Sequence, residues 1–182
     1  LSLSAAAFAY GFEDLQVNTY DPERIAYTIN NAGKVEQRGF EVEAKLQASE
    51  MLSLRGALAY THNRFQDFIG QCYAYAFPTG TTRANAVPPP NCSFVDSTAL
   101  TLQQDYGGRA PARSPDWAAN AGFTLDVPIG EYVLGMTGDA FYSDSYLASD
   151  TLAPPSRQDA FWRFNSSVSF GPEDESWTVA LI

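Results

Sequence analysis

The residues that could carry out chemistry are few. His62 is the only histidine of the chain, so neither a two-histidine metal site nor a second imidazole relay can be built. A hydrolase that pairs His62 with one of the many serines remains a minor alternative. His62 has the parity of the apolar positions in its stretch and stands near the outer end, where an amphipathic ring at a membrane interface is the more ordinary explanation.

Two carboxylates, Asp126 and Asp139, could flank a sugar as the acids of a glycosidase do. Both have the parity of the polar positions around them, which favours solvated acids over a catalytic pair. Three acids of a later loop could help to capture a cation or ligand, although charged loop tips are usually only solvated: Asp144, Asp150 and Asp159. We expect no catalytic residue, no metal site and no cofactor.

One long segment combines two cysteines with aromatic residues. Cys72 and Cys92 lie in the same stretch rich in proline, glycine and asparagine, which predicts a disulfide formed in an oxidising compartment, with two unrelated thiols as the alternative. Beside them stand stacking surfaces and one positive charge: Tyr73, Tyr75, Phe77, Arg83 and Phe94. These five are the candidates for ligand contact, although an ordinary exposed loop would have the same composition.

Charge and hydropathy exclude two classes of protein. The 182 residues include 11 Lys and Arg against 21 Asp and Glu, for a formal net charge of −10. Nucleic acid is therefore disfavoured as a partner, because no basic patch is available to neutralise phosphates. No apolar run approaches the roughly 20 residues of a membrane-spanning helix, which excludes a helical membrane protein.

Alternation of apolar and polar residues is the strongest structural signal, since successive side chains of a strand point to opposite faces. It runs through 40–46 and 52–60, and the short segment 47–51 between them predicts a tight hairpin turn. If Leu46 faces Leu52, Glu43 lies opposite Arg55 as a cross-strand pair of opposite charge.

The same layout recurs downstream. Stretches 117–127 and 132–142 alternate around a turn at about 128–131, and pairing Val127 with Tyr132 would bring Trp117 to Tyr142. A third hairpin begins at Trp162, turns at about 171–175 and continues through Trp177. With an incoming strand through Ala6, Phe8, Tyr10 and Phe12, a separation at 21–24 and a long run from Ile25, we expect about seven strands.

The connections differ in length from one end of the strands to the other. The compact turns at about 47–51, 128–131 and 171–175 alternate with irregular loops at about 70–113 and 147–160. Bacterial outer-membrane barrels have this asymmetry, with short periplasmic turns and longer extracellular loops. The short connection at 21–24 falls on the loop side and fits least well.

A membrane barrel is favoured over a soluble β-sandwich, which could also bury one apolar face. The strand runs are long for a globular protein. Aromatic residues collect at strand ends, as interface girdles do, with Tyr60, Trp117 and Tyr142 on the loop side and Tyr132, Phe170 and Trp177 on the turn side. The opposite face has charged positions that suit a wet or plugged lumen: Glu41, Glu43, Arg55, Asp126 and Asp139.

The chain opens at Leu1 without an initiator methionine or a signal peptide and ends inside a strand pattern. An odd number of strands with unpaired edges would leave backbone groups unsatisfied in lipid. We therefore expect further strands beyond both ends.

Several segments resemble one family, the TonB-dependent outer-membrane receptors. Asn31-Ala32-Gly33-Lys34 followed by Gly39-Phe40-Glu41-Val42-Glu43 is similar to the family's "NAGKA…GVELE" strand. The segments 52–61 and 65–68 look like the strand that follows. The segment 107–120, with Pro111 and Trp117, resembles the element "G…L…AP.WSAN", and 177–181 looks like a late barrel strand.

The resemblance implies an all-β, antiparallel, up-and-down barrel of 22 strands around an N-terminal plug, with residues 1–182 forming part of that single barrel domain. It implies a nutrient receptor and transporter of the Gram-negative outer membrane, not an enzyme, for a ferric siderophore, cobalamin or a carbohydrate. The implied partners are membrane lipid, the nutrient and the TonB energy-coupling protein, which binds an N-terminal box not found in these residues. A passive porin and, less readily, a barrel enzyme are the alternatives.

Overall fold

The structure, a computed structural model, describes the backbone of residues 1–21 and 26–182 and the side chains of residues 1–17 and 33–182. Twelve strands lie in these residues. They are β1 (Ser2–Asp21), β2 (Ala26–Gln47), β3 (Leu52–Asp67), β4 (Ile69–Gln71), β5 (Cys92–Phe94), β6 (Leu102–Asp105), β7 (Trp117–Ile129), β8 (Tyr132–Ser143), β9 (Tyr146–Leu147), β10 (Arg157–Gln158), β11 (Phe161–Pro172) and β12 (Val179–Leu181).

Seven of these strands form one antiparallel sheet in the order β1-β2-β3-β7-β8-β11-β12. Each long strand pairs with the next long strand along the chain, which is the up-and-down topology expected from the alternation. The all-β class and the count of about seven strands are confirmed. The sheet is open within the described residues, with β1 and β12 at its edges.

The connections between the strands differ at the two ends of the sheet. At the turn end the chain reverses between β2 and β3, between β7 and β8, and between β11 and β12. At the loop end the two longer connections form small sheets of their own, β4-β6-β5 and β10-β9, and a single turn of 3-10 helix at Pro154–Ser156. The segment 70–113 is thus more ordered than the irregular loop expected from its composition. Among the described residues, no helix is long and apolar enough to cross a membrane.

From β2 to β12 the cross-strand pairing places most apolar side chains on one face of the sheet, whereas Phe8 of β1 pairs with Gly39 on the other face. One register row joins Phe40, Tyr60 and Trp117 across three strands. The same face holds a band of large exposed side chains, which includes Leu3, Leu46, Leu54, Leu58, Ile129, Trp162, Phe164, Val168, Val179 and Leu181. We call this the apolar face, and the other the polar face.

The predicted registers of two hairpins were wrong by two residues. Leu46 pairs with Leu54 instead of Leu52, and Val127 pairs with Leu134 instead of Tyr132. In both hairpins the first strand continues further than expected, through Gln47 in β2 and Ile129 in β7, whereas the second strand begins at the expected residue. Because side chains alternate with a period of two, a shift of two residues keeps every side chain on its predicted face.

The turn between β7 and β8 shows why the prediction stopped too early. Pro128 and Ile129 read as turn residues, but both lie in β7, opposite Val133 and Tyr132. The reversal needs only two residues, and Gly130 adopts φ 65° there, a conformation that glycine reaches without steric cost. Tyr142 consequently faces Ala119 instead of Trp117, and Trp117 faces Tyr60 of β3.

The third hairpin shows the same difference. Its first strand, β11, continues through Pro172, which pairs with Tyr132. The turn therefore spans 173–178 rather than 171–175, and Trp177 lies in it just before β12.

Aromatic side chains lie at both limits of the apolar face. At the loop end the rings of Tyr60 and Trp117 are 4.7 Å apart between centroids, and those of Tyr142 and Trp162 are 5.0 Å apart. At the turn end the ring of Tyr132 stacks on Phe170 at 5.2 Å, with Trp177 at 6.2 Å from both. We call these groups the loop-end belt and the turn-end belt.

The separation of the belts fits a lipid bilayer. Tyr132 and Tyr142 stand at the two ends of β8, about 33 Å apart along a strand that rises about 3.3 Å per residue. A strand tilted by about 40° would convert this length to about 25 Å along the membrane normal, the height of the apolar band in outer-membrane barrels.

The first hairpin extends well beyond the loop-end belt. Its pairing continues from Ser2 with Lys45 to Asp21 with Ala26, although Phe40 of the belt row pairs with Ala7. Strand therefore continues on both sides of the short connection that fitted poorly, up to Asp21 and from Ala26. The predicted separator at 21–24 lies mainly outside the described residues.

Candidate ligand-binding loop surface

The segment between β3 and β7 folds onto the loop end of the sheet through a small apolar core. Val35 of β2 and Phe65 of β3 pack with Phe68, Tyr106 and Leu152. Phe65, Phe68 and Tyr106 form a compact set of rings with centroids 4.8 to 5.8 Å apart. This core joins the two long connections to the seven-stranded sheet, which we call the wall. It therefore fixes the position of the loop surface described below.

Tyr106 is the most buried ring of that core, at 1% exposure. Its hydroxyl donates a hydrogen bond to the carbonyl oxygen of Gln71 at 2.8 Å. Burial raises the pKa of the Tyr106 phenol to about 12, since a phenolate would lose its hydration there. Sequence reasoning missed Tyr106, and the only available signal was its place before Gly107-Gly108.

A disulfide between Cys72 and Cys92 fastens the loop to the three-stranded sheet β4-β6-β5. The two Cα atoms are 5.8 Å apart, and Cys92 pairs with Gln104 of β6. The bond joins two cysteines that are 20 residues apart in the sequence. The proline-rich chain between the cysteines therefore starts and ends at one fixed point.

The predicted aromatic residues of this loop come together. The ring of Tyr75 meets Phe77 edge-on at 5.1 Å, and Phe77 stacks on Phe94 at 6.1 Å with 16° between the planes. The guanidinium carbon of Arg83 lies 3.7 Å from the centroid of the Phe94 ring. These four side chains form a continuous surface, which we call the loop aromatic row.

A turn at Asp96 positions the charged end of this row. The Asp96 carboxylate accepts hydrogen bonds from the backbone N–H groups of Thr98 and Ala99, both at 2.7 Å, and its carbonyl accepts one from Nε of Arg83 at 3.2 Å. These backbone hydrogen bonds lower the pKa of Asp96, because they stabilise the ionised carboxylate.

A cleft of about 330 Å³ opens beside the row. Tyr73, Tyr75 and Phe77 line it together with Leu100 and Leu102. The Tyr73 hydroxyl donates to the carbonyl of Pro90 at 3.2 Å, while Tyr75 is 46% exposed. Four of the five predicted residues thus form the row, and Tyr73 lines the adjoining cleft.

The five predicted lumen-facing charges all lie on the polar face: Glu41, Glu43, Arg55, Asp126 and Asp139. The predicted pair of Glu43 with Arg55 is wrong, since Glu43 is opposite Ala57 and Arg55 is opposite Lys45. Glu43 instead contacts Lys45 on its own strand at 2.8 Å.

Arg55 makes its ion pair two strands away. Its guanidinium reaches the Asp139 carboxylate at 2.6 Å, passing over Gly122, which occupies the register position between them on β7. Any side chain at Gly122 would meet atoms of both partners. The pair is about 40% exposed, so its contribution to stability is small, about 1 kcal/mol or less.

The residues considered for catalysis have other neighbours in the structure. The Nδ1 atom of His62 lies 4.0 Å from Asp116, whose carboxylate accepts two hydrogen bonds from Arg64 at 2.9 and 2.6 Å. Asp126 and Asp139 are opposite different residues, Gly135 and Gly122. No group of three or more His, Cys, Asp or Glu residues that could hold a metal ion occurs in the part of the chain that the structure describes.

The comparisons with known proteins identify the family. The family described as "TonB dependent receptor-like, beta-barrel" matches residues 1–181, and the chain belongs to it. A comparison with curated protein sequences finds no match.

Two solved structures show the fold of this wall. The ferric yersiniabactin uptake receptor FyuA from Yersinia pestis superposes with a TM-score of 0.61 over 94% of this chain, at 16% identity. The siderophore receptor PiuA from Acinetobacter baumannii superposes with a TM-score of 0.55 over 96% of it, also at 16% identity. The chain spans about a fifth of the length of each receptor, 20% in both cases.

Proposed function

We propose that this chain forms part of the wall and of the ligand-facing loops of an outer-membrane receptor that takes up a ferric siderophore. The observation that carries the proposal is the loop aromatic row, which presents three rings and a guanidinium at the loop end of the sheet. Of the solved structures named above, FyuA is described as a ferric yersiniabactin uptake receptor and PiuA as a siderophore receptor.

The row suits a flat ligand with negative charge. Ring faces stack on other planar groups, and a guanidinium beside them attracts phenolate or carboxylate oxygens. Ferric complexes of aromatic siderophores combine these two features. Cobalamin and carbohydrates remain alternatives, because a sugar also packs on aromatic rings without needing the charge of Arg83.

The belts support the placement of the segment in the membrane. The apolar face would meet lipid, and the polar face with Glu41, Asp126 and the Arg55–Asp139 pair would face the lumen. The turns would then lie in the periplasm and the loops at 70–113 and 147–160 outside the cell. Residues 1–182 would form one part of a single barrel domain. Energy would come from TonB through a segment outside these residues.

The test is uptake of radiolabelled iron by cells that lack other siderophore receptors and express the full-length receptor. Iron loaded on catecholate, phenolate and hydroxamate siderophores is offered separately. We expect uptake with an aromatic siderophore, and a loss of about tenfold in apparent affinity for Phe94→Ala and for Arg83→Gln, since each removes a stacking or charge-assisted contact.

Val87→Ala is the matched control, because Val87 is 75% exposed in the same loop and outside the row. Uptake that persists without TonB would favour a passive porin. Uptake of sugar or cobalamin but of no ferric complex would overturn the siderophore proposal. His62→Ala should leave uptake unchanged, whereas a barrel hydrolase would lose its activity.

A further inference from the structure

A second cavity lies between the two long connections at the loop end of the sheet. Its volume is about 280 Å³, which is below the roughly 300 to 1,000 Å³ of pockets that hold drug-sized ligands. Residues of 109–116 form one side, and the segment from Asp144 to Leu147 forms the other together with Arg157. The backbone N–H group of Arg113 joins the two sides by donating to the carbonyl oxygen of Leu147 at 2.8 Å.

Three guanidinium groups line this cavity, although the chain as a whole is acidic. They belong to Arg64, Arg109 and Arg157. Arg64 is already neutralised, because both oxygens of the Asp116 carboxylate accept hydrogen bonds from it, at 2.9 and 2.6 Å. The other acid of the lining, Asp144, accepts the backbone N–H group of Ser145 at 2.7 Å. Arg109 forms no ion pair with any residue whose side chain is described.

The guanidinium group of Arg109 also lacks an acceptor for one of its nitrogen atoms. Its Nη2 atom donates to the carbonyl oxygen of Leu152 at 3.3 Å, whereas Nη1 is buried and has no hydrogen-bond partner in the described part of the chain. A buried N–H group of a cation without an acceptor is unfavourable, because it loses its hydration and gains no bond in return. A negatively charged acceptor would satisfy both the N–H group and the charge.

Arg157 and two hydroxyl groups complete the donors of the cavity. Nη2 of Arg157 donates to Oγ of Ser145 at 3.1 Å, so the hydroxyl hydrogen of Ser145 can donate to an acceptor in the cavity. Nε of Arg157 donates to Asp159, but the Asp159 side chain is 85% exposed, and water screens its charge. The second hydroxyl belongs to Ser114, whose hydrogen bond to the carbonyl oxygen of Ala112 is long, at 3.5 Å.

We propose that this cavity binds one tetrahedral oxyanion, sulfate or phosphate, which bridges the two long connections. Guanidinium and hydroxyl groups suit the oxygen atoms of such an ion, and Arg109 and Arg157 approach it from different connections. A phosphate diester of a lipid fits less well, because it has two unesterified oxygen atoms instead of four and two further groups to accommodate. The ion would compensate the charge of Arg109 and tie the loop 147–160 to the loop 70–113.

Hydrogen–deuterium exchange of the full-length receptor in detergent tests this proposal. Sodium sulfate is titrated while sodium chloride keeps the ionic strength constant. We expect exchange in 109–116 and 144–157 to slow along one saturating curve, sodium phosphate to reach the same end point, and exchange in β8 to stay unchanged.

Arg109→Gln should weaken the apparent affinity for sulfate about tenfold, because a charge-assisted hydrogen bond becomes a neutral one. Arg109→Lys should retain most of the affinity. Arg113→Gln is the matched control, since it removes the same charge from the same segment but at a residue that does not line the cavity. Arg157→Gln should also weaken the affinity, and it tests the site if Arg109→Gln does not fold, because the Arg157 side chain is 61% exposed.

Equal protection by sodium chloride alone, equal protection by phosphatidylglycerol, or Arg109→Gln and Arg157→Gln variants that respond like the wild type would each overturn the proposal. The cavity shares none of its described lining residues with the loop aromatic row or the cleft beside it. A receptor that takes up iron but does not respond to sulfate would therefore refute this site alone. A receptor that responds to sulfate but takes up no ferric complex would refute only the proposed function.

Discussion

Gly39 shows how one residue type follows from a close contact between strands. A Cβ atom at Gly39 would collide with the carbonyl oxygen of Tyr60 and would lie 2.9 Å from the Phe8 ring. Gly39 belongs to the segment that resembles the receptor family, and the structure supplies a steric reason for a glycine there. Phe8 lies over it on the polar face, so the aromatic residues of β1 do not extend the apolar face as Ala5 and Ala7 do.

We therefore predict that Gly39→Ala destabilises the folded receptor by about 1–3 kcal/mol, the usual cost of an overpacked site. Gly11→Ala, in the neighbouring strand with open space around it, should change stability by less than about 0.5 kcal/mol. Urea denaturation in lipid vesicles measures both. Equal stability of the two variants would show that the strands separate to admit a methyl group.

Loop residues outside the predicted set form the apolar core that supports the loop aromatic row. The sequence pattern identified the aromatic residues of the row, because they stand beside cysteines in a segment without alternation. It did not identify Tyr106 or Leu152, which pack together from two different loops. Only the folded chain brings these residues into contact, and neither has a local pattern that marks it as buried.

At the scale of elements, the loop between β3 and β7 is a small unit attached to a rigid wall. Its three short strands offer few hydrogen bonds. The order of the loop therefore depends largely on the disulfide. Closing a loop of this length removes conformational freedom from the open state and stabilises by about 3 kcal/mol.

We predict that the double variant Cys72→Ser and Cys92→Ser loosens residues 73–91 but leaves the wall intact. Hydrogen–deuterium exchange of the full-length receptor should show faster exchange in that loop and unchanged exchange in β8. Ser93→Ala, next to Cys92 in β5, is the control. Unchanged exchange in the loop of the double variant would show that the apolar core and the small sheet hold it without the disulfide.

At the scale of the whole molecule, the two faces of the sheet meet different environments in the proposed receptor, lipid on the apolar face and water on the polar face. Met136 lies on the apolar face near the middle of β8, between the belts, and pairs with Leu125 and Val168. Thr137 follows it on the polar face, where its hydroxyl is 2.7 Å from that of Ser167. The two neighbours thus provide a direct comparison of the faces.

Met136→Arg should destabilise the barrel in vesicles by about 2–4 kcal/mol, the cost of an arginine at the bilayer midplane on the lipid face. Thr137→Arg should cost much less, because its guanidinium can remain hydrated in the lumen. The free energy of unfolding in urea measures the difference. Equal costs at the two positions would contradict the assignment of lipid to the apolar face.

The sequence by itself determined which face of the sheet the alternating residues of β2, β3, β7, β8 and β11 occupy, the approximate number of strands and the end at which the long loops lie. These properties follow from a local alternation with period two, which is readable without knowing any partner strand. It also indicated the loop that contains the candidate site, through its aromatic residues and paired cysteines.

Only the tertiary structure determined which residues pair across the sheet. Arg55 pairs with Asp139 instead of Glu43, because register depends on the residue at which each turn is centred. A turn centred one residue further along the chain leaves every side chain on its face and changes every cross-strand partner. The catalytic and metal-binding possibilities of the sequence depended on such partners, whereas the wall of the barrel depended only on the alternation.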